Sequence, residues 1–319
     1  YINGFYTLIK RLNNPFYNRD VVSIKDFQRS DLEYLFDVAN KLETGKPLNS
    51  LTGKLLGLMF LEPSTRTRLS FESAMNSLGG KSISFGDPSS TSTEKGENLA
   101  DSLSTVDRYV DAIVLRHSRE GVSRFASEIC QKPVINAGSG SEEHPTQAML
   151  DVFTIMKECG KVDDLNIAIF GDLKYGRTVY SLLYALSNYK PNIFLVSPAL
   201  LQLRKDPLID LQENLNISQH DNISDIISKL DVIYTTRIQK ERFPDLQEYE
   251  RVKGSYKIDE ELLDQAKESL ILLHPMPRSE EIPPSIDKTK FAKYFQQMSY
   301  GKLIRSALLH LVFNENPSF

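Results

Sequence analysis

Residues 55–80 read LLGLMFLEPSTRTRLSFESAMNSLGG, and three textures meet in them. Leu55 to Leu61 is an apolar run of strand length. Phe71, Ala74, Met75 and Leu78 recur at i, i+3, i+4 and i+7, one face of an amphipathic helix. Between them lies Pro63-Ser64-Thr65-Arg66-Thr67-Arg68, in which nearly every side chain can donate a hydrogen bond. The order predicts strand, tight loop, helix, with Ser64 or Thr65 as N-cap and Gly79-Gly80 as the stop. An ordinary cap followed by surface arginines would give the same outline. Two guanidiniums and three hydroxyls within residues 64–68 favour an anion site instead. A helix start adds free backbone N–H groups and the positive end of its dipole to them.

The alternation extends from about residue 21 to the end, the pattern of parallel sheets with helices on both faces. Val21–Ile24, Asp111–Leu115 and Pro133–Asn136 are predicted strands of the first half. Ser30-Asp31-Leu32-Glu33 is a predicted capping box ahead of Leu35, Phe36, Val38 and Leu42. A helix is predicted around Val122–Cys130, and a longer one from about Pro145 to Cys159 is the candidate connector between domains. Strands follow at Leu165–Phe170, Asn192–Val196, Val232–Thr235 and Leu270–Leu273, with helices at Thr178–Asn188, Ser224–Leu230 and Asp259–Lys267. A final amphipathic helix carries Ile304, Ala307, Leu308, Leu311 and Val312 and is expected to pack on its own domain. The fold class is α/β, with two doubly wound parallel-sheet domains. The first covers residues 14–148 and is closed by the last helix at about 298–313; the second covers residues 149–297.

With 319 residues, 40% apolar and 25% charged, the chain is long enough to bury two such cores. No apolar run approaches the roughly 20 residues that span a bilayer. Residues 2–9 lack the basic flank and cleavage site of a signal peptide. The expected location is therefore the cytoplasm, with no membrane partner. A net charge of −4 argues against nucleic acid, so anion binding must come from a few arginines converging locally. Cys130 and Cys159 stand in no CxxC or Cys/His cluster, and the five histidines show no HExxH or H-x3-H spacing. No metal and no cofactor are expected.

Doubly wound sheets bind ligands beyond the carboxyl ends of their strands. Arg116 follows the strand that ends at Leu115, and His144 opens the Pro145 helix after Gly138-Ser139-Gly140. Arg177 closes Gly171-Asp172-Leu173-Lys174-Tyr175-Gly176, beyond Phe170. Arg237 and Gln239 follow Thr235-Thr236, and His274-Pro275-Met276-Pro277-Arg278 follows Leu273. Each alone reads equally well as a salt-bridge, cap or turn residue; their collection at strand ends does not. Gly171–Thr178 imitates the P-loop pattern G-x4-G-K-[ST], except that Arg177 stands where the lysine belongs. A planar guanidinium suits bidentate grip on a carboxylate better than the P-loop task. No G-x-G-x-x-G follows a predicted strand, which argues against a dinucleotide enzyme.

Pro63–Arg68 also resembles the carbamoyl-phosphate loop of the transcarbamylase family, S-T-R-T-R, and His144-Pro145-Thr146-Gln147 resembles its H-P-T-Q. The second half is similar to the aspartate carbamoyltransferase branch of that family. Arg237-Ile238-Gln239-Lys240-Glu241-Arg242 resembles R-x-Q-x-E-R, and His274–Arg278 resembles H-P-L-P-R with Met276 in place of leucine. The H-C-L-P and S-M-G segments of the ornithine branch do not occur here. The resemblance runs from about Asn14 to the last helix. The loop 90–96 is one residue shorter than its bacterial counterpart, and residues 1–13 have none.

The resemblance implies transfer of the carbamoyl group of carbamoyl phosphate to the amine of L-aspartate, an early step of pyrimidine synthesis. Ser64, Thr65, Arg66 and Thr67 would hold the phosphate. Thr67, Arg116 and His144 would polarise the carbonyl oxygen, while Gln147 and the backbone around Pro275, Met276 and Pro277 would orient the carbamoyl nitrogen. Arg177 would take the α-carboxylate of aspartate, and Arg237 with Gln239 and Lys95 the β-carboxylate. Ser92 and Lys95 would arrive from a neighbouring subunit, which implies a homotrimer with shared sites. Some members of the family also bind regulatory chains. The alternatives are a transcarbamylase for another amine, such as ornithine, and an inactive subunit of a pyrimidine enzyme complex. Arg237-x-Gln239 favours a dicarboxylic acceptor, and retention of Arg66, Lys95, Arg116, His144, Arg177 and Arg237 favours an active enzyme.

Overall fold

Apolar runs that lack alternation form central strands here, because helices cover both faces of a parallel sheet. The computed structural model describes residues 14–46, 48–85, 97–140, 143–238, 243, 245–252 and 256–319. Ser92, Lys95 and Gln239 of the expected site lie outside the described residues, as do residues 1–13. The chain forms two units: the described residues up to Thr146 together with Gly301–Phe319, and Gln147–Tyr300.

In the first unit, β1 (Leu55–Phe60), β2 (Lys81–Phe85), β3 (Ala112–His117) and β4 (Val134–Ser139) pair in parallel in the order β2-β1-β3-β4. Helices α1 (Arg29–Thr44), α2 (Thr65–Ser77), α3 (Leu99–Asp107) and α4 (Val122–Ile129) accompany them. Met59, Leu103, Ile113, Leu115, Ala126 and Val134 share one core. The chain leaves this unit inside α5 (Pro145–Cys159).

The second unit holds β5 (Asn166–Phe170), β6 (Asn192–Val196), β7 (Asn216–His220), β8 (Val232–Thr235) and β9 (Ile271–Leu273), parallel in the order β7-β6-β5-β8-β9. Its helices are α6 (Arg177–Leu186), α7 (Lys205–Gln212), α8 (Leu246–Val252) and α9 (Glu260–Leu263), and the chain returns to the first unit inside α10 (Tyr294–Phe313). Ala168, Phe170, Leu230, Ile233, Leu272 and Ile286 belong to its core. In each sheet the direction of strand addition reverses once, between β1 and β3 in the first and between β5 and β8 in the second. Such a reversal opens a crevice at the carboxyl ends of the two flanking strands.

The structure departs from the sequence expectations in several places, one being the expected helix Asp259–Lys267, of which only Glu260–Leu263 is α-helical. Val21–Ile24 is not a strand: Val21 makes one bridge to Ile135, and Ser23 then caps a 3-10 turn at Ile24–Asp26. Helix α1 starts at Arg29, ahead of the expected box at Ser30, because the Gln28 N–H donates to Asp31 Oδ2 at 3.0 Å. The expected helix at Ser224–Leu230 is two 3-10 turns, Ile223–Asp225 and Ile227–Lys229. Gln147, expected in the first domain, belongs to the second unit.

Candidate active site

The first sheet reverses between β1 and β3; Pro63–Arg68 lies beyond β1, and Arg116, expected to follow its strand, is instead the penultimate residue of β3, paired with Phe60. Ser64 is the N-cap of α2, in extended backbone, so the first-turn N–H groups of the helix face outward from its start. Thr65 and Arg66 are exposed, and Thr67 is buried. The register of β3 against β4 shifts between Leu115 and His117, where Arg116 of β3 lies opposite two residues of β4, Ala137 and Gly138. Bulges re-aim side chains at the ends of sheets. Arg116 Nη1 donates to the Ala137 carbonyl at 3.0 Å, and its Nε lies 3.4 Å from Glu62 Oε2. Glu62 thus sets Arg116, a role that the sequence signalled only by an acid directly ahead of Pro63–Arg68.

His144 is buried at the start of α5. The described residues before it are held at two points. Asn136, itself buried, donates to the Val22 carbonyl and to Ser139 Oγ and accepts from the Gly138 N–H. The Glu143 carboxylate accepts from Ser23 Oγ and, at 2.9 Å, from the Ile24 N–H. Burial pushes the Glu143 carboxyl above its ordinary value, against the pull of those hydrogen bonds. Buried Arg305 on α10 donates to Ser70 Oγ at 2.7 Å and stacks over the Phe71 ring, bracing α2 from behind.

The second sheet reverses between β5 and β8, and the residues beyond those strands are Gly171–Arg177 and Arg237. Gly171 has φ +113°, and a Cβ there would lie 2.2 Å from the Thr236 carbonyl oxygen. Only glycine fits that approach. The Asp172 N–H donates to Thr236 Oγ1 at 3.0 Å, and Asp172 Oδ1 accepts from the N–H groups of Lys174 and Tyr175. Fully buried Asp172 therefore shapes the loop that delivers Arg177 to the first position of α6 and ties it to the segment preceding Arg237. Arg177 is 9% exposed and Arg237 half-buried, so each guanidinium is partly stripped of water. Sequence reading singled out both arginines but not Asp172, whose carboxylate accepts from N–H groups two and three residues ahead, a local turn signal.

Beyond β9, buried His274 accepts from the Met276 N–H at Nδ1 (2.8 Å), which leaves Nε2 as the protonated nitrogen facing Glu281 Oε1 at 2.9 Å. Burial pushes the Glu281 carboxyl up, but hydrogen bonds from His274 and from backbone N–H groups, that of Ser279 among them, outweigh it and hold the group below its ordinary value. Met276 takes φ +59°, a left-handed conformation uncommon outside glycine, at the backbone expected to face the carbamoyl nitrogen. Arg278 pairs with Asp287, with Nη2 to Oδ2 at 2.7 Å. Gln147 Nε2 donates to Asp151 Oδ1 at 2.9 Å. Asp151 is fully buried and was not singled out in the sequence, where its signal is a polar i, i+4 pair on an otherwise apolar helix.

Among the described residues, no group of three or more His, Cys, Asp or Glu side chains is arranged to hold a metal ion, and no helix is long and apolar enough to cross a membrane. Comparison with known proteins adds names to this geometry. Residues 19–157 match the carbamoyl-P binding domain of aspartate/ornithine carbamoyltransferases, and residues 163–312 match their Asp/Orn binding domain. The chain is 54% identical over 306 residues to the aspartate carbamoyltransferase catalytic subunit of Nitrosopumilus maritimus, covering 95% of this chain and 99% of that one. It is similar in structure to the catalytic subunit of M. jannaschii aspartate transcarbamoylase, with TM-score 0.84 and 48% identity over 91% of this chain and 96% of that one. The Trypanosoma cruzi aspartate transcarbamoylase in complex with carbamoyl phosphate gives TM-score 0.90 and 39% identity over 94% of this chain and 98% of that one.

Proposed function

The chain belongs to the aspartate/ornithine carbamoyltransferase family, and from that membership we propose that it transfers the carbamoyl group of carbamoyl phosphate to the amine of L-aspartate. The products are N-carbamoyl-L-aspartate and phosphate, and the reaction is a step of pyrimidine biosynthesis. One observation carries the reading to this chain's own residues. Of the strands flanking the reversal of the first sheet, β1 leads into Pro63–Arg68 and β3 carries Arg116 near its carboxyl end, and those flanking the reversal of the second lead into Arg177 and Arg237. Anion and carbonyl chemistry thus belongs to one unit and carboxylate chemistry to the other.

Carbamoyl phosphate is already activated, so the protein's task is orientation and charge stabilisation, with no covalent nucleophile required. Ser64, Thr65, Arg66 and Thr67 hold the phosphate at the start of α2. Thr67, Arg116 and His144 donate to the carbonyl oxygen as it gains charge. Gln147 and the backbone at Met276 and Pro277 accept from the carbamoyl nitrogen. Arg177 takes the α-carboxylate of aspartate, and Arg237 the β-carboxylate with Gln239 and Lys95. The aspartate amine forms the new C–N bond, the C–O bond to phosphate breaks with its electron pair leaving on phosphate, and that phosphate accepts the amine proton. Ser92 and Lys95 come from a neighbouring copy, so the working unit is a homotrimer, located in the cytoplasm.

The test is release of phosphate and carbamoyl-aspartate from carbamoyl phosphate plus L-aspartate, with ornithine as a parallel acceptor and Arg237→Ala as the control. Aspartate-dependent turnover that disappears in the variant is the expected result. Turnover with ornithine alone, or binding without turnover, overturns the assignment.

A further inference from the structure

The reaction as proposed uses the amide of Gln147 but leaves unexplained which end of that amide meets the substrate. A carbamoyl nitrogen is a pure donor and needs acceptors. A glutamine amide offers one acceptor and one donor, and nothing in its own chemistry decides which faces a ligand. Asp151, one helical turn further along α5, supplies the missing constraint. Its carboxylate is fully buried and accepts from Gln147 Nε2 at 2.9 Å and Gln297 Nε2 at 2.6 Å on Oδ1, and from the Tyr234 hydroxyl at 2.8 Å on Oδ2. Gln297, also buried, accepts in turn from the His274 N–H at 2.9 Å through its Oε1. One carboxylate therefore holds the Gln147 amide directly and, through Gln297, the backbone at the start of the His274–Pro277 turn.

We propose that Asp151 is a positioning residue that makes Gln147 an obligate acceptor, and thereby selects a carbamoyl –NH2 over a methyl group of the same size. The inference rests on the transferase reading given above. With Nε2 committed to Asp151, Oε1 is the end of the Gln147 amide left to meet a ligand. The same carboxylate steadies the turn whose carbonyl oxygens supply the other acceptors, so both halves of the –NH2 recognition depend on it. Tyr234 Oη, wholly buried and held protonated by burial and by the Asp151 charge, is a third donor to the carboxylate. A carboxylate surrounded by donors in a dry interior is costly to replace and stiff, as orienting a neighbour requires.

The experiment compares dissociation constants of carbamoyl phosphate, acetyl phosphate and inorganic phosphate for the wild-type chain, Asp151→Leu and Asp151→Asn. Acetyl phosphate carries a methyl group where carbamoyl phosphate carries –NH2. The wild type should prefer the carbamoyl compound, and Asp151→Leu should lose about tenfold to hundredfold of that preference. Inorganic phosphate, which never meets Gln147, should bind all three proteins alike. Asp151→Asn keeps one oxygen for the two glutamines and turns its amide toward the Tyr234 oxygen, so it should restore most of the preference. An unchanged preference in Asp151→Leu, or a parallel loss of phosphate binding, overturns the proposal. Where Asp151→Leu does not fold, the wild type answers the question. The Gln147 side-chain amide protons, assigned by their loss in Gln147→Leu, resist solvent exchange if Asp151 holds them, and exchange like those of a surface glutamine if it does not. A wild-type chain that carbamoylates no aspartate defeats the transferase reading itself, a result distinct from every outcome above.

Discussion

Replacing Gly171 by alanine tests how the second sheet sets its two arginines. The residue has φ +113°, where an L side chain costs about 1–2 kcal/mol. Its added methyl would also sit 2.2 Å from the Thr236 carbonyl oxygen, against about 3.3 Å for an ordinary carbon–oxygen contact. Backbone on one side must therefore retreat by about 1 Å, at a strain of about 1–3 kcal/mol. The total is about 3 kcal/mol of stability. The retreat stretches two bonds that join the ends of β5 and β8, Thr236 N–H to the Phe170 carbonyl at 2.8 Å and Asp172 N–H to Thr236 Oγ1 at 3.0 Å. Arg177 and Arg237 ride on the two joined segments. A displacement of about 1 Å in a substrate clamp lowers kcat/KM by about a hundredfold. The assay pairs urea denaturation with steady-state kinetics in aspartate and with binding of inorganic phosphate, whose proposed residues, Ser64–Thr67, lie in the first unit. Gly171→Ala should lose stability and aspartate kcat/KM together while holding phosphate as before. Wild-type stability with wild-type aspartate kinetics would refute the claim that this glycine sets the arginines.

Three further outcomes follow from the geometry. Glu62→Gln removes the charge 3.4 Å from Arg116 Nε and should lower kcat about tenfold without changing phosphate affinity, since Arg116 loses its orienting partner and the α2 loop does not. Arg237→Lys keeps the charge but gives up the planar fork; the KM for aspartate should rise steeply, with carbamoyl-phosphate binding spared, as separate titrations of the two substrates would record. Burial holds the His310 imidazole below its ordinary 6.5, with Nδ1 on Ser50 Oγ at 2.8 Å and Nε2 lacking a partner. The unfolded chain then takes up the proton first, so this residue's contribution is complete above pH 6.5 and is lost as pH falls through the folded value. His310→Gln should flatten the stability-versus-pH curve on the acid side of 6.5, measured by urea midpoints.

What the sequence disclosed follows burial. Strands β1, β3, β5 and β8 announce themselves because both faces are covered and the middle of each run is apolar. Edge strands β2, Lys81-Ser82-Ile83-Ser84-Phe85, and β7, Asn216-Ile217-Ser218-Gln219-His220, have mostly exposed or half-buried residues and so carry no comparable signal. Ser224–Leu230 has helical spacing, yet Ile223, Ile226, Ile227 and Leu230 reach the core from two short 3-10 turns, which the same spacing also satisfies. In the site, residues whose chemistry is written in a local motif, such as Ser64–Arg68 or Arg177, were legible. Glu62 and Asp151 were not, because each looks like an ordinary acid until the fold brings Arg116 or Gln297 to it.

The route of the chain sets an order of assembly. Ile304, Ala307, Leu308 and Leu311 of α10 are wholly buried, and residues at the head of the described chain fasten to its end: Asn14 Nδ2 donates to the carbonyls of Leu311 and Asn314, and the Asn18 N–H to that of Val312. The unit that begins first therefore receives its last core residues from Gly301–Phe319, after every residue of the other unit has been made. Domains usually mature in the order in which they leave the ribosome. Here the later unit can finish first, while the earlier one waits with Pro63–Arg68 already synthesised and part of its core still to come.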